Sequence, residues 1–529
     1  MLSRSRSLSS SASTSLSDSK KLTEMKKIYF FLFLSVFVLN SCEEDLNLAP
    51  ISSAGSNGFY QTQSDFTQAL NGVYGAFGVQ NNVDYPSFYV NLNETRSDNI
   101  YSPGQAGVRD WNNINNLLST LSTLATLKQV WNTTFNAIMR ANTLLDKIKE
   151  NPDAVTDAAL RSRMEAEARF LRAYFYFDLV KWFGKVPVFT TFTTPDEALK
   201  IGRSPVSEVY DLIISDLKFA IEKLPATYAA ADKGRATSMA AKGILARVYL
   251  MRSGPQLHPD GPCLASKEYS LALALINDII SSGQFSLQSS YAKIFDYANE
   301  GNSEIVWDLQ FISGGQAAGA YYPTEYYDEA WGRVNLPFAG GNPGDGNKTI
   351  SSDLVSSYDA ADQRLAATGI FEYKDATGAT VSTAFFSKFI NKTKAGSDRF
   401  EWAINYPVIR YADVLLMKAE CILQGASGTQ AEVDALVNQV RARAGLAATS
   451  NVNLDMLLNE RRKEFAGENL RWEDLVRTGK VIDVMNAWRA KVDTGGKIQP
   501  MKSDFIIYPI PQEQLDVKKG LYTQNQGYL

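Results

Sequence analysis

The chain has 529 residues, 45% of them hydrophobic and 11% aromatic, which is enough to bury a large core. Its formal net charge of −4 leaves no basic excess for binding phosphates, so the composition argues against nucleic acid as a partner. Its three cysteines form no CxxC pair, which excludes a zinc ribbon and a thioredoxin-type site.

The N-terminal sequence predicts an export signal. An apolar run over residues 28–39 follows Lys26 and Lys27, and it is too short to span a bilayer but typical of a secretory signal. It ends in Leu-Asn-Ser-Cys at Cys42, which resembles the bacterial lipobox. We therefore predict a signal peptide over residues 1–41 and acylation, for example by palmitate, at Cys42.

Two features refine this prediction. Residues 1–24 are rich in serine and show no apolar periodicity, so we predict that translation starts at Met25, directly before the basic residues. The acidic run 43–45 resembles the surface-export signal of Bacteroidetes lipoproteins, and residues 42–56 are expected to form a lipidated linker. No later segment reaches about twenty apolar residues, so the rest of the chain is expected to be tethered by lipid alone.

Helical periodicity dominates the remaining sequence. Ser204 and Pro205 are predicted as N-cap and first helical position of one helix, and small residues near 240–246 favour close helix packing. Cys421 falls in a helix as a buried apolar residue, and a disulfide from it to Cys263 is left open. The predicted helices cover residues 124–149, 157–183, 205–223, 237–251, 269–280, 408–423, 430–443 and 454–465.

The order of these helices predicts a mostly α fold built from stacked, tetratricopeptide-like helix pairs. Long irregular stretches over 81–116, 252–266 and 301–401 separate the pairs, and loops of this length usually carry function. The charged residues between Glu460 and Asp474 are predicted to form a salt-bridge network that holds the C-terminal helices, each pair contributing little energy.

Several segments together resemble the SusD/RagB family over nearly all of the mature chain. They are the lipobox with the acidic run after it, and residues 66–77, 94–98, 131–145, 167–188, 210–217, 407–420, 438–445, 460–475 and 507–511. The resemblance implies one SusD-like body over 57–529, with an N-terminal part over 57–250 and a C-terminal part over 251–529. It also implies four helix pairs, a position over a SusC-like TonB-dependent barrel, and capture of oligosaccharides or, in one branch, peptides without catalysis.

Motifs for chemistry are scarce in this sequence. His258 is the single histidine, and neither a GxSxG nor an HExxH motif accompanies it. The glycine-rich segment 341–349 places its lysine one residue late for a phosphate-binding loop. No catalytic residue, metal site or cofactor is therefore predicted, although spacing alone leaves a pair of glycosidase carboxylates open.

Two loop clusters combine aromatic rings with polar side chains, as sugar recognition requires. The first contains Arg96, Asp98, Asn99, Tyr101 and Trp111. The second contains Tyr321, Tyr322, Tyr326, Tyr327, Trp331 and Arg333. The competing interpretation is that these rings plug the loops against the helices, and for Asp98 in particular a structural role is open.

These observations predict an outer-membrane lipoprotein, facing the cell exterior, that binds a glycan and delivers it to a SusC-like TonB-dependent transporter. Three alternatives remain at this point. The ligand is a peptide, or the protein is a surface glycosidase, or it is a structural helical adaptor that binds no small ligand.

Overall fold

A computed structural model describes residues 58–102, 104, 109–315, 318–338 and 348–528. The predicted signal peptide, the start at Met25, the lipidation of Cys42 and the linker over 42–56 lie outside these residues. Thr62–Leu529 form one compact unit. A division of this body near residue 250 stays a prediction.

The body is mostly helical, as predicted from the sequence. The helices of its first half are α1 (Gln63–Tyr74), α2 (Tyr85–Tyr89), α3 (Asp110–Asn115), α4 (Ala125–Glu150), α5 (Ala158–Phe183), α6 (Pro195–Ala198), α7 (Val206–Lys223), α8 (Ser238–Ser253) and α9 (Tyr269–Ser281). Those of its second half are α10 (Glu329–Asn335), α11 (Ser352–Ser357), α12 (Arg364–Thr368), α13 (Tyr411–Leu423), α14 (Gln430–Arg443), α15 (Leu454–Glu464), α16 (Arg471–Arg477), α17 (Val481–Val492) and α18 (Gln512–Asp516).

The described strands are short and pair in antiparallel twos. The pairs are β1 (Ile100–Tyr101) with β3 (Thr349–Ile350), β2 (Ile305–Leu309) with β8 (Tyr406–Arg410), β4 (Gly369–Ile370) with β7 (Phe385–Phe386), and β5 (Tyr373–Lys374) with β6 (Thr380–Val381). Two of these pairs, β1 with β3 and β2 with β8, join segments far apart in the sequence, so they fasten the long loops to the helical body.

The predicted αα-hairpin is formed by α4 and α5. Asp157 caps α5, because its carboxylate accepts hydrogen bonds from the amides of Ala159 at 2.9 Å and Leu160 at 3.1 Å. Gly184 is the C-cap of α5 and has a φ of +68°, a conformation that glycine adopts readily. A Cβ at this position would clash with the carbonyl oxygen of Asp260.

The long helices form a stack in which each packs on the next. The order in space is α4, α5, α7, α8, α9, α13 and α14. Gly243 on α8 permits a close approach, since a Cβ added there would lie 2.7 Å from Cδ1 of Ile409, and the partner is strand β8 where the sequence predicts a helix. Stacked helix pairs give the loops a rigid support.

Two predicted helix starts are wrong. Helix α7 begins at Val206 with Pro205 as its N-cap, and the amide of Ser204 instead donates to the carbonyl of Val186 at 2.9 Å. Residues 408–410 belong to β8, and α13 begins only at Tyr411. The buried residues before Tyr411 are compatible with an apolar helix face and also with a buried strand. They form a strand because they pair with β2.

The predicted salt-bridge network exists, but it lies in the interior of the protein, whereas we expected it at the surface. Arg461 contacts Asp413 at 2.7 Å and Asp474 at 2.8 Å, and all three side chains are at most 2% exposed. Arg410 likewise contacts Glu464 at 3.1 Å inside the protein. The expectation of weak surface pairs was therefore wrong, because removing one partner of a buried pair costs about 3–5 kcal/mol.

Both described cysteines are free and buried. The sulfur of Cys263 contacts the sulfur of Met251 and the carbonyl oxygen of Val476, each at 3.8 Å. Cys421 lies within α13, so the disulfide that the sequence left open is not formed. Within the described residues, no helix is both long and apolar enough to cross a membrane.

Candidate functional site

The two predicted loop clusters meet in the structure. Strand β1 follows the first cluster's polar residues and pairs with β3, so that Tyr101 lies opposite Thr349. The amide of Ser351 then donates to the carbonyl of Asn99 at 2.8 Å. This pairing brings the loop before α3 beside the segment that follows the second cluster.

Trp111 on α3 is half-buried where these loops meet. The ammonium of Lys348 lies 4.9 Å and the guanidinium of Arg109 lies 5.5 Å from the centre of its ring. Lys348 is buried and forms an ion pair with Glu325. The indole N–H of Trp111 is buried and has no acceptor in the described part of the chain, so it remains a hydrogen-bond donor without a partner.

Tyr321 presents a second ring at the start of the turn that contains Glu325, the ion-pair partner of Lys348. Its ring stacks on Phe400 with centroids 5.0 Å apart and an interplanar angle of 28°, and both residues are half-buried. The guanidinium of Arg399 lies 4.8 Å from the centre of the Phe400 ring. Two aromatic rings and a cation therefore share one surface.

A buried carboxylate fixes the backbone at Tyr321. Asp84, the N-cap of α2, accepts hydrogen bonds from the amides of Tyr321 at 2.6 Å and Tyr322 at 2.9 Å. It also accepts the amide of Ser87 at 3.0 Å. Burial raises the pKa of Asp84 to about 6, although these hydrogen bonds act in the opposite direction.

We call Trp111, Tyr321 and Phe400, with the cations Arg109, Lys348 and Arg399, the ring surface. Half-buried rings can take the apolar C–H face of a ligand, while the exposed guanidinium of Arg109 can donate hydrogen bonds to its oxygen atoms. Glu325 is occupied by Lys348 and is therefore poorly suited to proton transfer. The arrangement favours binding over chemistry.

Arg96 does not belong to this surface, which corrects the sequence prediction. Its side chain is 1% exposed, and its guanidinium lies 3.9 Å from the centre of the Tyr508 ring and 4.6 Å from that of Trp472. It donates hydrogen bonds to the carbonyl of Phe505 and to the hydroxyl of Tyr528. Arg96 therefore ties the C-terminus to the body.

Asp98 and Asn99 are also buried, so their predicted ligand contacts are corrected too. Asp98 accepts two hydrogen bonds from Arg471, at 2.8 and 2.9 Å, and pairs with Arg462 at 3.1 Å. Burial raises its pKa, but the two guanidiniums outweigh burial and hold it at about 2. Asn99 donates to Glu94 at 2.9 Å and accepts from Arg462 at 2.9 Å.

Three tyrosines of the second cluster are core residues. Tyr322 donates to the carbonyl of Asn405 at 3.0 Å and Tyr326 to that of Gly467 at 2.9 Å, while Tyr327 is 1% exposed. For these rings the competing interpretation, that they plug loops against the helices, is the correct one.

Three further residues have separate positions. Tyr101 is half-buried and donates to Asp493 at 3.3 Å. Trp331 is on α10 and lines a cavity that is described below. Arg333 on the same helix is exposed and pairs with Glu329. Ligand contact by Tyr101, Trp111, Tyr321 and Trp331 stays a prediction.

The remaining chemical motifs are structural or lie outside the described residues. His258 is 2% exposed, and its Nδ1 accepts the amide of Asp260 at 3.0 Å within a turn. Burial lowers its pKa. Most of the glycine-rich segment 341–349 lies outside the described residues. Within those residues, no cluster of histidine, cysteine or acidic side chains has the form of a metal site.

Sequence reasoning missed Phe400, Arg399, Lys348 and Arg109. Phe400 lies in a polar, glycine-containing stretch, where the aromatic residue differs from its neighbours and is an available signal. Lys348 has its role only through Trp111 and Glu325, which are distant in sequence, whereas Arg109 and Arg399 contact rings that lie beside them in sequence.

Comparison with known proteins agrees with this architecture. Residues 54–250 match the family described as starch-binding and associating with outer membrane, and residues 283–528 match the SusD family. A SusD-like protein of Formosa agariphila is 28% identical over 95% of this chain and 98% of its own length.

Solved structures give the same result. A laminarin-binding SusD-like protein has a TM-score of 0.71 at 26% identity, over 89% of this chain and 100% of its own. Surface glycan-binding protein A from Bacteroides uniformis has a TM-score of 0.73 at 25% identity, over 88% of this chain and 100% of its own. With two family matches that together cover most of the sequence, the chain belongs to the SusD/RagB family.

Proposed function

We propose that the chain is an outer-membrane surface lipoprotein that binds a glycan on the ring surface and delivers it to a SusC-like TonB-dependent transporter. The observation that carries this proposal is the convergence of Trp111 with Lys348 and Glu325, which unites two loops distant in sequence. The printed names of the relatives, laminarin-binding and surface glycan-binding, support the same ligand class.

Sugar binding at this surface follows from its chemistry. The stacked pair of Tyr321 and Phe400 offers a rigid apolar patch for the C–H face of a pyranose. The exposed guanidinium of Arg109, 5.5 Å from the centre of the Trp111 ring, can donate hydrogen bonds to hydroxyl groups. Because Asp84 holds the backbone of Tyr321, the patch is largely formed before the ligand arrives, which limits the entropic cost of binding.

We infer that the bound glycan leaves unchanged. The ring surface contains one carboxylate partner, Glu325, and a buried lysine neutralises it. A retaining or inverting glycosidase needs two carboxyl groups that flank one bond, one of them able to give up a proton. The described part of the ring surface supplies no such pair.

The proposed location rests on Cys42 and on the family. Acyl chains on this cysteine would hold the body at the membrane, since each buried methylene contributes about 0.8 kcal/mol. Mass spectrometry of the mature protein should find an N-terminal Cys42 bearing acyl chains. An unmodified cysteine, or a chain that still starts at Met25, would contradict the anchor.

Calorimetry of the detergent-purified mature protein against a panel of oligosaccharides, laminarin fragments included, and a panel of peptides tests the ligand class. We expect saturable binding of at least one glycan and no release of reducing ends on prolonged incubation. Binding of peptides alone would replace glycan with peptide as the ligand. New reducing ends would establish a glycosidase. Absence of binding to any oligosaccharide or peptide would favour a structural adaptor.

A further inference from the structure

A second concave site lies outside the ring surface. It is a cavity of about 600 Å³ whose lining comes from residues 292, 293 and 295–297, from Trp331 and Ile370, and from residues 388 and 390–393. None of these residues belongs to the ring surface. A volume of this size is in the range of small-ligand sites and can hold a disaccharide.

The wall of this cavity is apolar. Trp331 and Phe295 are buried, while Ile370 and Ile390 are half-buried along the lining. The Trp331 ring is fixed by Phe385, whose centroid lies 5.4 Å away. The half-buried Ile370 and Ile390, supported by these fixed rings, offer the C–H face of a sugar an apolar surface that needs no reorganisation.

The rim of the cavity is cationic. Lys293 and Lys392 are exposed, and neither lies within ion-pair distance of a carboxylate in the described ranges. Their ammonium groups reach only neutral partners, the Ser289 hydroxyl at 3.4 Å and the side-chain oxygen of Asn335 at 3.2 Å. Asp296 is the one acidic residue of the lining within those ranges.

A third lysine in the lining adds little to this charge. Lys388 is buried, pairs with Glu468 at 2.9 Å and donates to the hydroxyl of Tyr291 at 2.6 Å. Its charge is therefore balanced inside the protein. The unbalanced positive charge is that of Lys293 and Lys392, opposed by Asp296 alone.

We propose that this cavity is a second sugar subsite, which binds an anionic sugar residue with its carboxylate or sulfate group at Lys293 and Lys392 and its C–H face on the wall around Trp331. The inference rests on the proposed glycan function and specifies one class of glycan. Charge-assisted hydrogen bonds from ammonium groups are about twice as strong as neutral ones, so the charged group would dominate selection.

The test uses disaccharides that differ in charge. Calorimetry of the mature protein in detergent compares a galacturonic acid disaccharide, a monosulfated disaccharide and a neutral disaccharide. We expect one or both anionic sugars to bind, more weakly at 500 mM than at 50 mM salt. Lys293→Gln combined with Lys392→Gln should weaken that binding about tenfold or more.

Lys394→Gln is the matched control, because Lys394 is exposed in the same turn as Lys392 but lies outside the lining. It should leave affinity unchanged, and all variants should keep the melting temperature of the wild type. The uronate and sulfate arms identify which anion is preferred. Equal binding of neutral and anionic disaccharides, or unchanged affinity in the double variant, overturns the subsite.

Failure here and failure of the proposed function give different results. Loss of the subsite leaves glycan binding that depends on Trp111 intact. If instead the proposed function fails, Trp111→Ala leaves glycan affinity unchanged, but Lys293→Gln combined with Lys392→Gln still weakens binding of the anionic disaccharide.

Discussion

The ammonium group of Lys348 lies 4.9 Å from the centre of the Trp111 ring, and the same lysine pairs with Glu325. A cation held over an aromatic face is attracted by the ring quadrupole, and burial strengthens that attraction. This one buried side chain therefore links α3 of the first loop to the turn that carries Tyr321.

Arg96→Ala is expected to lower stability without changing glycan affinity. The guanidinium fills the space between Tyr508 and Trp472, so its removal deletes two cation–π contacts and leaves a cavity. The cost should be about 3 kcal/mol, observed as a lower midpoint in chemical unfolding.

Lys218→Ala is a suitable control, because Lys218 is exposed on α7. A variant of Arg96 that keeps the wild-type unfolding midpoint but loses glycan binding would restore this arginine to the ligand site.

Asp98→Asn should destabilise the protein at pH 7 and much less near pH 2. The pKa of Asp98 is about 2 in the folded protein, and that of an unfolded aspartate is about 3.9. A depressed pKa contributes stability that is complete above about pH 4 and is lost as the pH falls through 2, on the order of 2 kcal/mol.

Removing the charge also leaves Arg462 and Arg471 without their shared partner, so the cost at neutral pH should reach about 3 kcal/mol. Unfolding free energies of wild type and Asp98→Asn between pH 2 and 7 provide the measurement. Parallel curves that do not converge at low pH would show that the carboxylate is not the source of the difference.

The two buried cysteines should resist alkylation in the native protein. Burial raises the pKa of Cys263 to about 12 and also raises that of Cys421, so both thiols stay protonated near pH 8. Peptide mapping after iodoacetamide treatment should find neither labelled in the folded protein and both labelled after unfolding in denaturant. A disulfide-linked peptide containing both residues would contradict the free-thiol arrangement.

Much of the helical scaffold is predictable because its signals are local. The apolar stripe and the Asp157 cap of α5 lie within one stretch of sequence, and its bounds match the prediction closely. The start of α13 fails because residues 408–410 suit both a helix and a strand, and only the distant partner β2 selects between them.

The site is less predictable for the same reason. Arg96 and Asp98 carry the residue types of a ligand site, yet their partners Tyr508 and Arg471 come from the far end of the chain and bury them. The side chains of Trp111 and Tyr321 are half-buried, and residues from other loops contribute to their surroundings. Composition identifies residues able to bind sugar, but only tertiary contacts show which of them remain accessible.

The central claim is that a glycan binds on the ring surface, and Trp111→Ala tests it directly. The aromatic control is Phe192→Ala, since Phe192 is 57% exposed in the loop after α5 and outside the ring surface. Calorimetry with the glycan that binds best to the wild type should show affinity at least about tenfold weaker for Trp111→Ala and unchanged for Phe192→Ala, with both variants folded. Unchanged affinity in folded Trp111→Ala would contradict the account.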